Sequence, residues 1–116
     1  MHIVFNTIIT VSGQAYHESG QPATFVCSTK GSNDRSPLTW QYELPNGNPG
    51  ATLARCYQNM TCIPSETTFM KATRDANESK FTWKNVTQHL KMICHPTLGP
   101  TKKFTIIPLG KYIFLW

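Results

Sequence analysis

Two runs of alternating apolar residues, each ending in a cysteine, constrain this chain more than any other feature. Ala23, Phe25 and Cys27 alternate with Thr24 and Val26, and Leu90, Met92 and Cys94 repeat the pattern sixty-seven positions later; Trp40 follows Cys27 by thirteen positions within Leu38-Thr39-Trp40. Successive side chains on a strand point to opposite faces, so each run gathers its apolar residues and its cysteine on one side of a sheet. Such a face has to be covered by a second layer.

The rest of the chain reads in the same terms. Strands are predicted over 8–11, 23–28, 38–44, 52–57, 67–71, 80–84 and 102–109, besides the run ending at Cys94. The inner face of 38–44 takes Leu38, Trp40 and Tyr42, and that of 80–84 takes Phe81 and Trp83 with Lys80 and Lys84 outward. Turn chemistry separates the strands: Gly20 and Pro22, a polar loop at 31–34, the run Pro45-Asn46-Gly47-Asn48-Pro49-Gly50, and the stretches 74–78, 85–88 and 95–100. No segment keeps helical periodicity for more than a few residues, so the pattern predicts an all-β sandwich or barrel of seven or eight short strands. Its expected core holds Phe25, Trp40, Phe81, Trp83, Leu90 and Met92.

A length of 116 residues with 40% hydrophobic and 15% charged residues suits one domain, expected over 1–110, followed by an apolar tail at 111–116. That tail suggests a chain cut short of a following segment, either a further domain or a membrane anchor. The apolar N-terminal stretch has no preceding Lys or Arg and is interrupted by Asn6 and Thr7, so it reads as an edge strand rather than a leader, the true leader lying upstream. Four cysteines without a C-x-x-C pair point to two disulfides in an oxidising compartment, with three pairings open. Asn59-Met60-Thr61, Asn77-Glu78-Ser79 and Asn85-Val86-Thr87 match the N-glycosylation acceptor pattern, where chance alone would give roughly one match. The net charge of +5 comes from scattered lysines and arginines, with no basic tract to hold a nucleic acid.

Glu18-Ser19-Gly20-Gln21-Pro22-Ala23-Thr24-Phe25-Val26-Cys27, then Leu38-Thr39-Trp40, then Lys80-Phe81-Thr82-Trp83-Lys84-Asn85-Val86-Thr87 stand in an order and spacing that resembles the immunoglobulin superfamily along nearly the whole chain. They look like the family's turn into its second strand, its third strand, and its passage from strand E toward strand F. The resemblance implies an immunoglobulin-like β-sandwich of two antiparallel sheets, with a cystine between Cys27 and Cys94 crossing it beside the Trp40 indole. The spacing of those two cysteines suits a variable- or intermediate-type domain. A bond between Cys56 and Cys62 would restrict the unfolded chain by only about 2 kcal/mol, against about 4 for the long loop, and so acts as a local staple. Whether Cys56 pairs there or with a core cysteine is left open by the sequence. The family's D-x-A/G-x-Y-x-C pattern falls on Gln88, Leu90, Met92 and Cys94, so its acidic residue and tyrosine are missing. No tyrosine corner forms at Met92, which fills volume without donating a hydrogen bond. The departures point to a divergent member and away from an antibody or T-cell-receptor chain.

What the resemblance implies functionally is extracellular recognition, secreted or at the cell surface: non-covalent binding of a protein or glycan, in adhesion, receptor recognition or immune defence. Contact would run through loops or a sheet face, with homophilic pairing and a tether outside this segment also compatible. The contact loops expected from the variable-type arrangement are 31–37, 45–50 and 96–101, with Asn33, Asp34, Arg35, Asn46, Asn48, Leu98 and Lys102 as contact residues. The alternative is a secreted, disulfide-stapled effector, an inhibitor or toxin-like ligand, whose active tip is the Cys56 to Cys62 loop. Six carboxylates and four histidines without G-x-S-x-G, H-E-x-x-H or a phosphate-cradling glycine loop give no expectation of an enzyme, a cofactor or a metal. A Cys94 and His95 metal pair competes with the core bridge for the same sulfur. Phe81 and Trp83 read more simply as core than as a base-stacking platform, so nucleic acid is not an expected partner.

Overall fold

The computed structural model describes residues 8–12, 16–30, 37–44, 46–87, 90–96 and 102–109. Among these described residues run ten strands: β1 (Ile8–Ser12), β2 (Tyr16–Glu18), β3 (Gln21–Lys30), β4 (Leu38–Glu43), β5 (Pro49–Cys56), β6 (Cys62–Ile63), β7 (Met70–Arg74), β8 (Glu78–Val86), β9 (Leu90–Pro96) and β10 (Lys102–Leu109). They form a four-stranded sheet in the order β1-β3-β8-β7 and a six-stranded sheet in the order β2-β10-β9-β4-β5-β6. Pairing is antiparallel except where β2 runs parallel to β10. The protein is an all-β sandwich, as the alternation predicts. Among the described residues no helix is long and apolar enough to cross a membrane.

The core lies where the alternating runs face each other. Ala23, Phe25 and Cys27 of β3 pair with Trp83, Phe81 and Ser79 of β8, while Trp40 of β4 pairs with Cys94 of β9. Phe25, Cys27, Leu38, Trp40, Ala54, Cys56, Met70, Phe81, Met92 and Cys94 are fully buried. Burying each large apolar side chain contributes about 1.5–3 kcal/mol. The Cys27–Cys94 bond ties β3 of one sheet to β9 of the other. Trp40 sits in the strand beside Cys94, and its ring centroid lies 5.5 Å from that of Phe81 in the opposite sheet. Its buried indole nitrogen donates to Ser79 Oγ at 2.8 Å, and the Ser79 hydroxyl donates to the Thr73 carbonyl at 2.8 Å. A polar atom in the middle of the core is thereby satisfied on both sides, which removes the cost of burying it unpaired.

Several boundaries differ from the sequence reading, each for a local reason. β5 begins at Pro49, inside the stretch expected to be a break, because Gly50 lets the strand pass beneath the Tyr42 ring; a Cβ there would lie 2.7 Å from that ring. The turn is therefore confined to a few residues ending at Asn48, with Leu44 outside β4, Gly47 at φ +86° and the Asn48 amide bonded to Asn46 Oδ1 at 2.9 Å. β7 is shifted from the expected 67–71 to Met70–Arg74. The Thr67 hydroxyl accepts the amides of Phe69 and Met70, which makes a turn of the first half, and Asp75 Oδ1 accepts the amides of Asn77 and Glu78, which moves the next turn past Arg74. Arg74 is thus not a turn residue. It is buried, and its Nη1 donates to the Cys56 carbonyl at 2.8 Å, joining the edge of one sheet to the other. The short strands β2 and β6 were not anticipated.

Trp83 also departs from the expected core position, since it is only partly buried. Its ring meets Phe81 edge-on at 5.3 Å and is stacked at 5.6 Å by Phe69, itself half exposed, so it closes the core's margin. Its indole nitrogen donates to Met92 Sδ at 3.1 Å. Methionine at position 92 thus does not donate, as expected, but it serves as an acceptor. Leu90 opens β9, and its side chain lies outside the described residues.

Candidate recognition surface

The outer face of the six-stranded sheet follows directly from register. Residues paired across neighbouring strands share a face, so Ile63, Arg55, Thr39 and His95 form one row across β6, β5, β4 and β9, and Thr52, Gln41 and Ile93 form the next. A one-residue bulge at Leu53 lets Ala54 face the core opposite Trp40 while Thr52 stays outside opposite Gln41. Gln41 joins the two rows: His95 Nε2 donates to its Oε1 at 3.0 Å in the tautomer protonated there, and its Nε2 lies 3.4 Å from Thr52 Oγ1. Further along the same face, Lys91 Nζ stands 3.8 Å from Glu43 Oε1. Thr39 and Ile93 are only 6% and 5% exposed although they point away from the core, so this face is a filled surface with Arg55 and Ile63 projecting from it. At 65% exposure Ile63 is a large apolar side chain left to water.

At one edge of this face β5 and β6 form a hairpin closed by the Cys56–Cys62 bond. Its tip is tightly bonded: the Tyr57 amide to the Thr61 carbonyl at 2.7 Å, the Met60 amide to the Tyr57 carbonyl at 3.0 Å, and Met60 at φ 71°. Met60 is 61% exposed. The bond is more than a local staple, because Cys56 is fully buried and its sulfur lies 3.3 Å from Ser79 Oγ, beside Trp40.

The expected contact loops fall only partly within the described residues, and the turn at 46–48 does not lie at the end of the stapled tip. Asn46 and Asn48 are exposed, but their turn follows Glu43, at the far end of β4 from Leu38. Leu38 pairs with Pro96 and with Cys56, so the stapled tip, and not the turn at 45–50, lies at the end where the chain enters β4 and leaves β9. A six-residue strand carries the chain away from that end before it turns. Asn33, Asp34, Arg35 and Leu98 lie outside the described residues. Pro96 and Lys102 are strand residues rather than loop residues, and Lys102 pairs with Cys94 across β9 and β10.

All three sequon asparagines are exposed, Asn59 on the stapled tip, Asn77 in the β7–β8 turn and Asn85 near the end of β8. Both cystines are formed, so Cys94 offers no thiolate beside His95. Among the described residues no three His, Cys, Asp or Glu side chains gather as a metal site requires. The chain matches no model of a known protein family and no curated protein.

Proposed function

We propose that this protein is a divergent immunoglobulin-like module that acts outside the cell, binding another protein or a glycan non-covalently through the outer face of its six-stranded sheet. The observation that carries the reading is the continuous outer face of β9, β4, β5 and β6, in which His95, Gln41 and Thr52 are held by one another while Arg55 and Ile63 project. Preorganised polar groups beside an exposed apolar anchor and an arginine are what a recognition surface needs. The family part of the reading is supported by the sheet orders, by a tryptophan one strand over from an inter-sheet cystine, and by extra strands beyond β4 that match the variable-type plan. Two cystines and three exposed sequon asparagines support the extracellular part.

The competing reading, a stapled effector acting through its hairpin tip, is favoured by the exposure of Met60 on a rigid loop. Both are tested by screening labelled protein on arrays of extracellular domains and of glycans. The double variant R55E/I63D weakens a hit by at least roughly tenfold, and M60A changes it by less than about twofold. The reverse pattern overturns the face in favour of the tip, and a cyclic peptide spanning the tip that binds alone would do the same.

A further inference from the structure

The three sequons look alike in sequence and differ sharply once folded. An acceptor sequon is read through two side chains at once, the asparagine carboxamide that takes the sugar and the hydroxyl two residues on. At Asn77 that hydroxyl belongs to Ser79, which is fully buried, accepts the Trp40 indole proton and donates to the Thr73 carbonyl. Serine at this position is thus explained by the core without any sugar. At Asn59 the opposite holds. Asn59, Met60 and Thr61 are all exposed, on a turn outside the sheets, and Asn59 Oδ1 accepts both the amide (3.2 Å) and the hydroxyl (2.5 Å) of Thr61. Both bonds use the carbonyl oxygen, which keeps carboxamide and hydroxyl side by side and leaves the amide nitrogen out of the turn's own bonding. Asn85 lies between these cases: Asn85 and Thr87 are exposed, but Val86 between them is buried and its carbonyl holds the Gly20 amide at 2.6 Å.

We infer that Asn59 is an N-glycan acceptor that stays competent after the chain has folded and both cystines have closed, whereas Asn77 accepts only in the unfolded chain. The transfer joins Asn59 Nδ2 to the anomeric carbon of an oligosaccharide carried on a polyisoprenyl diphosphate. The carbon–oxygen bond to the diphosphate breaks, the lipid diphosphate leaves with the electron pair, and one Nδ2 proton passes to base. The inference deepens the extracellular reading and rests on it for its use in the cell. A sugar at Asn59 covers the stapled tip with Met60 and leaves Ile63 on the outer sheet face open to a partner.

The test uses the purified chain with both cystines intact, and the same chain reduced, alkylated and unfolded, each incubated with an oligosaccharyltransferase and its lipid-linked oligosaccharide and then mapped by glycopeptide mass spectrometry. Folded protein is expected to carry sugar at Asn59, with occupancy at Asn77 at least roughly tenfold lower, because exposing Ser79 requires opening the core. Unfolding brings Asn77 up to the level of Asn59. The variant T61A loses modification at Asn59 and T61S keeps it. Equal occupancy of Asn59 and Asn77 in the folded protein overturns the inference, as does a folded chain unmodified at Asn59. A chain competent at Asn59 in the tube but recovered bare from secreting cells counts against the extracellular reading instead.

Discussion

The two cystines invite comparison because they differ in almost everything but burial. Cys27–Cys94 spans 67 positions and joins the two sheets; Cys56–Cys62 spans 6 and joins neighbouring strands of one sheet. Their effects on the unfolded chain differ accordingly, about 4 against about 2 kcal/mol. In the folded state the contrast fades: Cys27, Cys94 and Cys56 are all fully buried, and the Cys56 sulfur touches the Ser79 hydroxyl that holds Trp40. Arg74 reaches the Cys56 carbonyl from the other sheet. Spacing therefore tells how a crosslink restrains the disordered chain, while its weight in the native state depends on what its sulfurs pack against.

Breaking the long bridge gives the largest expected effect. The variant C27A/C94A loses about 4 kcal/mol of unfolding free energy in urea titrations, plus whatever the emptied sulfur volume adds. For C56A/C62A loop entropy alone predicts about 2 kcal/mol, and the buried sulfur raises this to about 3. A measured loss at or below about 2 would return the short bridge to the role of a hairpin staple and undo the comparison.

The polar link between the two cystine regions is sharpened by a double-mutant cycle. Ser79→Ala leaves the Trp40 indole N–H buried without its acceptor and costs about 1–3 kcal/mol. Trp40→Phe removes the donor, so S79A in that background costs less than in the parent, a coupling that denaturant midpoints resolve. Strict additivity would mean that the indole finds another acceptor.

How far this architecture can be read without coordinates depends on whether a residue's role is set by its neighbours in sequence. Phe25, Phe81 and Met92 were legible because strand alternation assigns them a face whatever they pair with. Arg74 was not, since charge and a neighbouring Asp75 read as a turn, and its bond to the carbonyl of Cys56, eighteen positions back, is invisible to local sequence. The same holds for the outer face: His95, Gln41 and Thr52 are scattered in sequence, and register alone brings them together. The early start of β5 at Pro49 was not legible either, since it depends on Gly50 passing beneath the Tyr42 ring. Gly50→Ala accordingly crowds the Tyr42 ring and the Tyr42 carbonyl, 2.9 Å from the added Cβ, and costs about 1–3 kcal/mol, read in the same titrations; a neutral result would mean that both ring and backbone yield freely.

The smallest effect lies on the segment that carries the chain from the short cystine to β7. Lys84 Nζ lies 2.8 Å from Glu66 Oε2 and 2.7 Å from the Thr67 carbonyl, pinning that segment to β8. The Lys84 hydrogen bond and charge hold the Glu66 carboxyl below its ordinary value of 4.5, Lys71 adding a weaker pull in the same direction. A carboxyl with a lower pKa folded than unfolded stabilises the native state above its unfolded value, and that contribution disappears as pH falls through the folded value. The parent should therefore exceed E66Q in thermal midpoint by a constant margin between about pH 6 and 8, and the margin should close below about pH 4. Both groups face solvent, so added salt should shrink it at every pH. No margin at any pH would show that Lys84 holds the segment through the Thr67 carbonyl alone, and the tie beyond the short cystine would then be a matter of hydrogen bonding and not of charge.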